Sequence, residues 1–190
     1  MMKIIGHHAC KNTGDWDKIE KNGVPTAFST YNPENSKNPF LGSGYYFWDY
    51  NIGMAHYWGK RHYKKGYYIF QADIPYNEND LLDLVGNRQH MEWIIDLMND
   101  FKEENEGSGH WEIGKFLAFL KEISEENSEY AEIFPFKSVR SIDHSARFLK
   151  DEYAFYRESK AFTMLNPRII VCVIKPNPLT LQNLKLIYPR

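Results

Sequence analysis

"LGSGYYFWDYNIGMAHYWGKR", Leu41 to Arg61, sets two glycines ahead of a run of aromatics and then a segment with more aromatics at helical spacing. Tyr45 and Phe47 alternate with Tyr46 and Trp48, as on a strand whose successive side chains face opposite sides. One pair can therefore enter a core while the other lines a surface. Asp49 or Asn51 supplies an N-cap for a helix through Ile52, Ala55, His56, Trp58 and Gly59. The glycines precede a strand rather than open a helix, the third glycine of a dinucleotide fingerprint is missing, and no GK[ST] follows, so the phosphate-cradling readings fail. Gly42 and Gly44 are expected instead to let the backbone pass close to a neighbour or a ligand.

Outward from this stretch the order is strand, helix, strand, helix, strand. "KIIGHHA" (Lys3 to Ala9) reads as a strand, "TGDWDKIEKNG" as a short helix with Asp15 at its start and Gly23 as its stop, and "GYYIFQADI" as a returning strand. Residues 24–41 are rich in Pro, Asn and Ser and read as a long loop of the kind that forms lids and binding loops. In the middle of the chain the period changes. Met91, Ile94, Ile95, Met98 and Phe101 recur at helical spacing, as do Ile113, Phe116, Leu117, Leu120 and Ile123, with "EENEGSGH" between them, which predicts a helical hairpin. From Asp151 the β pattern resumes, and "RIIVCVI" is the continuous apolar run of a central strand buried on both faces. Strands from the two ends must share one core. The prediction is a single α+β domain, residues 1–190, with a helical insertion at about 78–150.

The 190 residues are 43% hydrophobic and 25% charged, ordinary for one folded domain, while 16% aromatic tilts the chain toward sheet and stacking surfaces. A formal net charge of −2 gives no global footprint for nucleic acid or membrane, although "GKRHYKKG" (Gly59 to Gly66) is a local basic cluster, read as a solvated helix end. Cys10 and Cys172 are too few and too far apart for a disulfide framework or a CxxC metal site. His56 and His62 do not share a helix face and no HExxH is present, so no metal is expected. No stretch approaches the length of a membrane span and the N-terminal apolar run is short for a signal peptide, so the expected setting is the cytoplasm, with export by a signal-independent route left open.

Two segments together resemble the ADP-ribosyltransferase fold, in its poly(ADP-ribose) polymerase-like branch of H-Y-E type. "HHAC" is similar to that branch's first-strand motif, with His8 as the histidine, Ala9 in the glycine position and Cys10 in the hydroxyl position. "GSGYYF" matches its GxGxYF strand and places the motif tyrosine at Tyr46, while "MAHYW" matches its AxY helix and places the second tyrosine at Tyr57. The resemblance covers about the first third of the chain. It implies a split, mainly antiparallel sheet that binds NAD and an activity that moves ADP-ribose to a macromolecular acceptor, protein or nucleic acid, with release of nicotinamide.

The roles implied are His8 on a ribose hydroxyl, the Ala9 backbone on the carboxamide, and Tyr45, Tyr46 and Tyr57 at the cofactor, the last two gripping the nicotinamide ring. The oxocarbenium-like transition state asks for a carboxylate on a late strand. Glu158 in "FYRESKAFTML" is the first candidate and Glu152 in "DEYAFY" the second. Met54 stands where that branch often has a serine, which removes one hydrogen bond worth about 1 kcal/mol. Two further readings stay open: an inactive module that binds NAD or ADP-ribose, and an RNA 2'-phosphotransferase, which would need arginines such as Arg61, Arg157 and Arg168 around its cleft.

Overall fold

The computed structural model describes residues 2–34, 38–104, 112–126, 132–143, 152–154, 162–176 and 180–189. Nine strands and four helices follow in the order β1 (Met2–Lys11), α1 (Trp16–Asn22), β2 (Tyr45–Asp49), α2 (Ile52–His62), β3 (Tyr67–Tyr76), β4 (Leu81–Asp83), α3 (Arg88–Glu104), α4 (Ile113–Glu126), β5 (Ser138–Ile142), β6 (Glu152–Ala154), β7 (Phe162–Met164), β8 (Ile169–Val173) and β9 (Gln182–Tyr188), among the described residues. Seven strands form one sheet in the order β4-β5-β8-β2-β1-β3-β9, and β6 and β7 pair as a separate ribbon. Every neighbouring pair is antiparallel except β4 with β5. The architecture is α+β with a mainly antiparallel sheet, as the sequence leads one to expect.

"RIIVCVI" becomes β8, laddered to β2 on one side and β5 on the other, and Val171, Cys172 and Val173 are fully buried. A strand with protein on both faces needs apolar residues at every position, which is why its sequence does not alternate. β1 and β3 lie at the same centre from the other end of the chain, paired without a break from Met2↔Tyr76 to Lys11↔Tyr67. The sheet separates two cores. On one face Ala9, Trp48, Tyr67, Ile69, Val139 and Ile170 meet Ala55 of α2, Ile94 of α3 and Phe116, Leu117 and Leu120 of α4. On the other, Ile4, Cys10, Phe47, Tyr68, Phe70, Val171 and Val173 meet Ile19 of α1.

Several local expectations hold. Gly23 stops α1 in the left-handed conformation at φ 69°, and Asn51 caps α2 by accepting from the Met54 N–H at 3.0 Å. Asp15 stands at the head of α1 but makes no side-chain cap there, and only its carbonyl accepts from Lys18 and Ile19. The helical hairpin is present, with Phe101 of α3 packed edge-on against Phe116 and Phe119 of α4. The 78–150 stretch is not helical throughout, however, because β4 and β5 frame the hairpin and extend the main sheet.

The glycines of the opening stretch serve a neighbouring strand and a turn. A Cβ on Gly44 would stand 2.4 Å from Cys172 Sγ and 2.8 Å from the Val173 carbonyl, so the backbone crosses β8 where only hydrogen fits. Gly42 sits in the turn before it at φ 81°, a conformation that costs other residues strain. Gly44→Ala is therefore expected to cost about 1–3 kcal/mol by forcing β8 and the 42–44 backbone apart. Gly53→Ala, with its nearest neighbour at 3.4 Å on exposed α2, is expected to cost nothing. Urea unfolding midpoints of the two variants beside the parent chain make the comparison.

Candidate functional site

The site begins where two strands part. β1 and β2 pair at Gly6↔Asp49 and His7↔Trp48, the register recorded between them. Beyond it β1 stays laddered to β3 as far as Lys11, and β2 stays laddered to β8 as far as Tyr45. Among the described residues the β1–β2 pairing thus stops at His7–Trp48, which leaves an opening inside one seven-stranded sheet. The Ile5 carbonyl accepts from Tyr50 N at 2.9 Å, so the N–H and C=O of alternate residues 5, 7 and 9 point toward β2. Continuing the register would set Ala9 opposite Tyr46. Ala9 accordingly turns its backbone donor and acceptor into the opening.

His8 enters the same gap with its side chain. Its Nδ1 lies 2.8 Å from the Tyr46 carbonyl. A carbonyl oxygen only accepts, so Nδ1 carries the proton and Nε2 is left as an acceptor. Nε2 is buried and has no hydrogen-bond partner. The residue is 3% exposed, and burial pulls its pKa down to about 4 against the opposing effect of the Tyr46 hydrogen bond, so the ring is neutral near pH 7. The rings of Phe47 and Tyr45 pack on the imidazole at 5.3 and 6.4 Å, and Phe28 packs edge-on against Tyr45 at 5.0 Å. Phe28 arrives on the 24–44 loop, which is pinned to the start of β2 by reciprocal Ser29–Gly44 backbone bonds of 3.0 and 2.9 Å.

His7, the neighbouring histidine, turns to the opposite face. It is 7% exposed and its pKa is lowered by burial, with the Trp48 backbone and Gln71 opposing. Tyr46 also points to the opposite face from His8, where it packs against the helical core. Its hydroxyl is taken by the preceding turn: it donates to the Gly42 carbonyl at 2.6 Å and accepts from Leu41 N at 2.8 Å. Burial raises its pKa far above that of a free phenol. Tyr57 is 37% exposed on α2 and accepts from Arg61 Nη1 at 3.1 Å. Cys10 is fully buried beside Thr26, and burial raises its pKa, so it is no activated nucleophile.

The carboxylates are less well placed. Glu158 lies outside the described residues, as does Arg157. Glu152 stands in β6, where its backbone pairs with Met164. Arg168 is buried and bound to the carbonyl and carboxylate of Asp143 at 2.8 and 3.1 Å, which makes it a structural residue rather than a phosphate grip. Asp49 is likewise structural, since Arg140 meets it through Nε and Nη2 at 2.8 Å and reaches Asp83 at 3.3 Å.

Sequence reasoning gave Trp58 no role at this edge and passed over Tyr63. Trp58 lies 6.3 Å from Trp48 and stacks on His62 at 4.0 Å, and it hydrogen-bonds the half-buried Tyr63 hydroxyl. Two surface cavities of about 260 and 480 Å³ lie elsewhere, one against Phe40, Ile113 and Ile170, the other between Tyr31 and α4, and neither borders His8. No helix among the described residues is long and apolar enough to cross a membrane.

No protein-family model, curated protein or solved structure matches the chain.

The neutral His8 has a pH signature of definite sign. Its folded pKa lies below that of a free imidazole, about 6.5, so between the two values the unfolded chain holds a proton that the folded chain does not. Stability is unaffected by His8 above about pH 6.5 and falls by about 3 kcal/mol as the pH drops to about 4. His8→Gln, whose amide can still donate to the Tyr46 carbonyl, is expected to lack that component. Urea denaturation of both chains across pH 4–7.5 reads it as a difference in slope, which cancels the carboxylates common to both.

Proposed function

We propose that this chain is an NAD-dependent ADP-ribosyltransferase that binds NAD in the opening between β1 and β2, releases nicotinamide and passes ADP-ribose to a macromolecular acceptor. The observation that carries the reading is the pairing of groups at the opening. Ala9 offers one backbone donor and one acceptor side by side, and His8 offers one buried, neutral acceptor with no partner. A primary carboxamide complements the first pair, and a sugar hydroxyl complements the second. Nicotinamide riboside carries both groups, and a buried lone pair that gains a donor recovers the desolvation cost of about 1–3 kcal/mol.

The chemistry follows from that orientation. The bond between ribose C1' and the pyridinium nitrogen breaks, its electron pair stays on the departing nicotinamide, and C1' develops oxocarbenium character. The acceptor's nucleophile then forms the new bond at C1' and gives up its proton. His8, neutral and fixed by Tyr46, holds the ribose by its hydroxyl and supplies no proton. Stabilising the cation falls to a carboxylate of the C-terminal third, Glu158 first and Glu152 second. Tyr46 supports the ring site from the helical face of the sheet, and Tyr57 is the residue of α2 assigned to the nicotinamide's other side. The packing of Phe28 on Tyr45 and of Tyr45 on His8 means that entry requires the 24–44 loop to lift.

Nicotinamide release from NAD by the purified chain, with cell lysate as acceptor, tests the reading. Release is expected to drop about 10–100-fold in His8→Ala, the worth of one buried hydrogen bond. It is expected to drop by about 100-fold or more in one of Glu158→Gln and Glu152→Gln, with the other near the parent. Circular dichroism confirms that each variant folds. Saturable NAD binding without release would turn the assignment to a binding module, and absence of both would overturn it.

A further inference from the structure

The segment from Tyr50 to Ala72 carries Lys60, Arg61, Lys64 and Lys65 and no Asp or Glu, in a chain whose formal net charge is −2. Lys60 and Arg61 lie in the last turn of α2, Lys64 and Lys65 in the turn that follows, and all four are exposed. The Asn12 N–H donates to the Gly66 carbonyl at 3.1 Å, which brings the exposed Lys11, at the end of β1, to the same turn. None of these five cations is in an ion pair among the described residues, and the guanidinium of Arg61 meets the neutral hydroxyl of Tyr57. The carboxylate nearest Lys11 along the chain, Asp15, is engaged by Thr13. A helix terminus is complemented by a cation or two in its last turn. The three cations beyond those two make a cluster of five like charges, none of them in an ion pair among the described residues, which sets up a local positive field.

Flat rings are interleaved with these charges. His62 is exposed and lies over Trp58 at 4.0 Å and 28°, a two-ring stack whose outer ring faces solvent. Cations spaced along an edge and an open ring face together fit a chain of phosphates with unpaired bases, which stack on such rings without regard to sequence. A duplex would leave the ring face unused, and so would an acidic protein surface.

We infer that the α2–β3 turn with the end of β1 is a docking surface for single-stranded nucleic acid. Lys11 lies two residues beyond Ala9 on the strand that bounds the opening, so a strand docked here runs past the mouth of the cleft. On the NAD reading above, that position makes the docked strand the ADP-ribose acceptor.

Fluorescence anisotropy of a labelled 12-nucleotide mixed-sequence strand, titrated with the full chain without NAD, tests the docking by itself. Four to five phosphate contacts give a slope of about −3 in log K against log salt, which is roughly 60-fold weaker binding at 200 mM than at 50 mM. The double variant Lys64→Glu/Lys65→Glu is expected to bind at least about tenfold more weakly with a shallower slope, and His62→Ala to weaken binding with the slope unchanged. Arg88→Glu, on α3 and paired with exposed Glu92, serves as the control and is expected to match the parent. Absence of binding at 50 mM salt, an equal loss in Arg88→Glu, or equal affinity for a duplex or a poly-glutamate peptide would overturn the surface. NAD titration, nicotinamide release and strand docking, all read on the parent chain, keep the two ideas apart. Docking without release removes the NAD reading alone, and release without docking removes this one.

Discussion

The imidazole of His8 takes the place of a backbone hydrogen bond between β1 and β2, and the shape of the site follows from that substitution. Had the ladder continued, Ala9 would pair with Tyr46 and the sheet would close. Instead the Tyr46 carbonyl is satisfied by Nδ1 of His8, one residue and one face away. A buried carbonyl without a partner would cost about 1–3 kcal/mol, so the strands can separate only because a side chain of the right reach supplies the donor. The same bond fixes the tautomer and leaves Nε2 as a buried acceptor without a partner, while burial, against that bond's opposing effect, keeps the ring neutral.

The opening persists because each strand is held from outside. β1 is laddered to β3 along its whole length and β2 to β8, so neither can collapse inward without losing register with its outer neighbour. β8 is itself anchored by β5, and Arg140 of β5 spans it to reach Asp49 at the end of β2. Both carboxylates that Arg140 meets are largely shielded, which holds the corner between β2 and α2 in place from the far side of the sheet.

Much of this was legible in the sequence, and the pattern of success is physical. β8, β2 and β3 announce themselves because a strand covered on both faces must be apolar or aromatic throughout. The hairpin of α3 and α4 shows itself by period. β4 and β5 were not legible, because three to five residues beside a long helical pattern give too short a signal for any period to emerge. In the site, His8, Ala9 and Tyr46 are within reach of local pattern, since one strand pair carries all three. The engagement of Asp49 by Arg140 joins residues 91 apart, and no local rule reports it. Tyr46 was read as a ring facing a slot, while the structure commits its hydroxyl to the 41–42 turn four residues earlier, a contact set by the Gly42 turn.

The electrostatics of the opening constrain where a carboxylate can act. Burial is the dominant influence on His8, opposed by the Tyr46 carbonyl, and among the described groups no carboxylate contributes. An anion within about 4–6 Å would favour the protonated ring and pull its pKa back up. On the proposed reading, a carboxylate that stabilises a developing cation must therefore stand on the far side of the sugar from His8, facing C1' rather than the imidazole. Of the C-terminal third, β8 joins the sheet beside β2 and β9 joins it beside β3. On the proposed reading the work divides between His8, a neutral acceptor on β1 that orients the ribose, and a carboxylate that stabilises the cation from the sugar's opposite side.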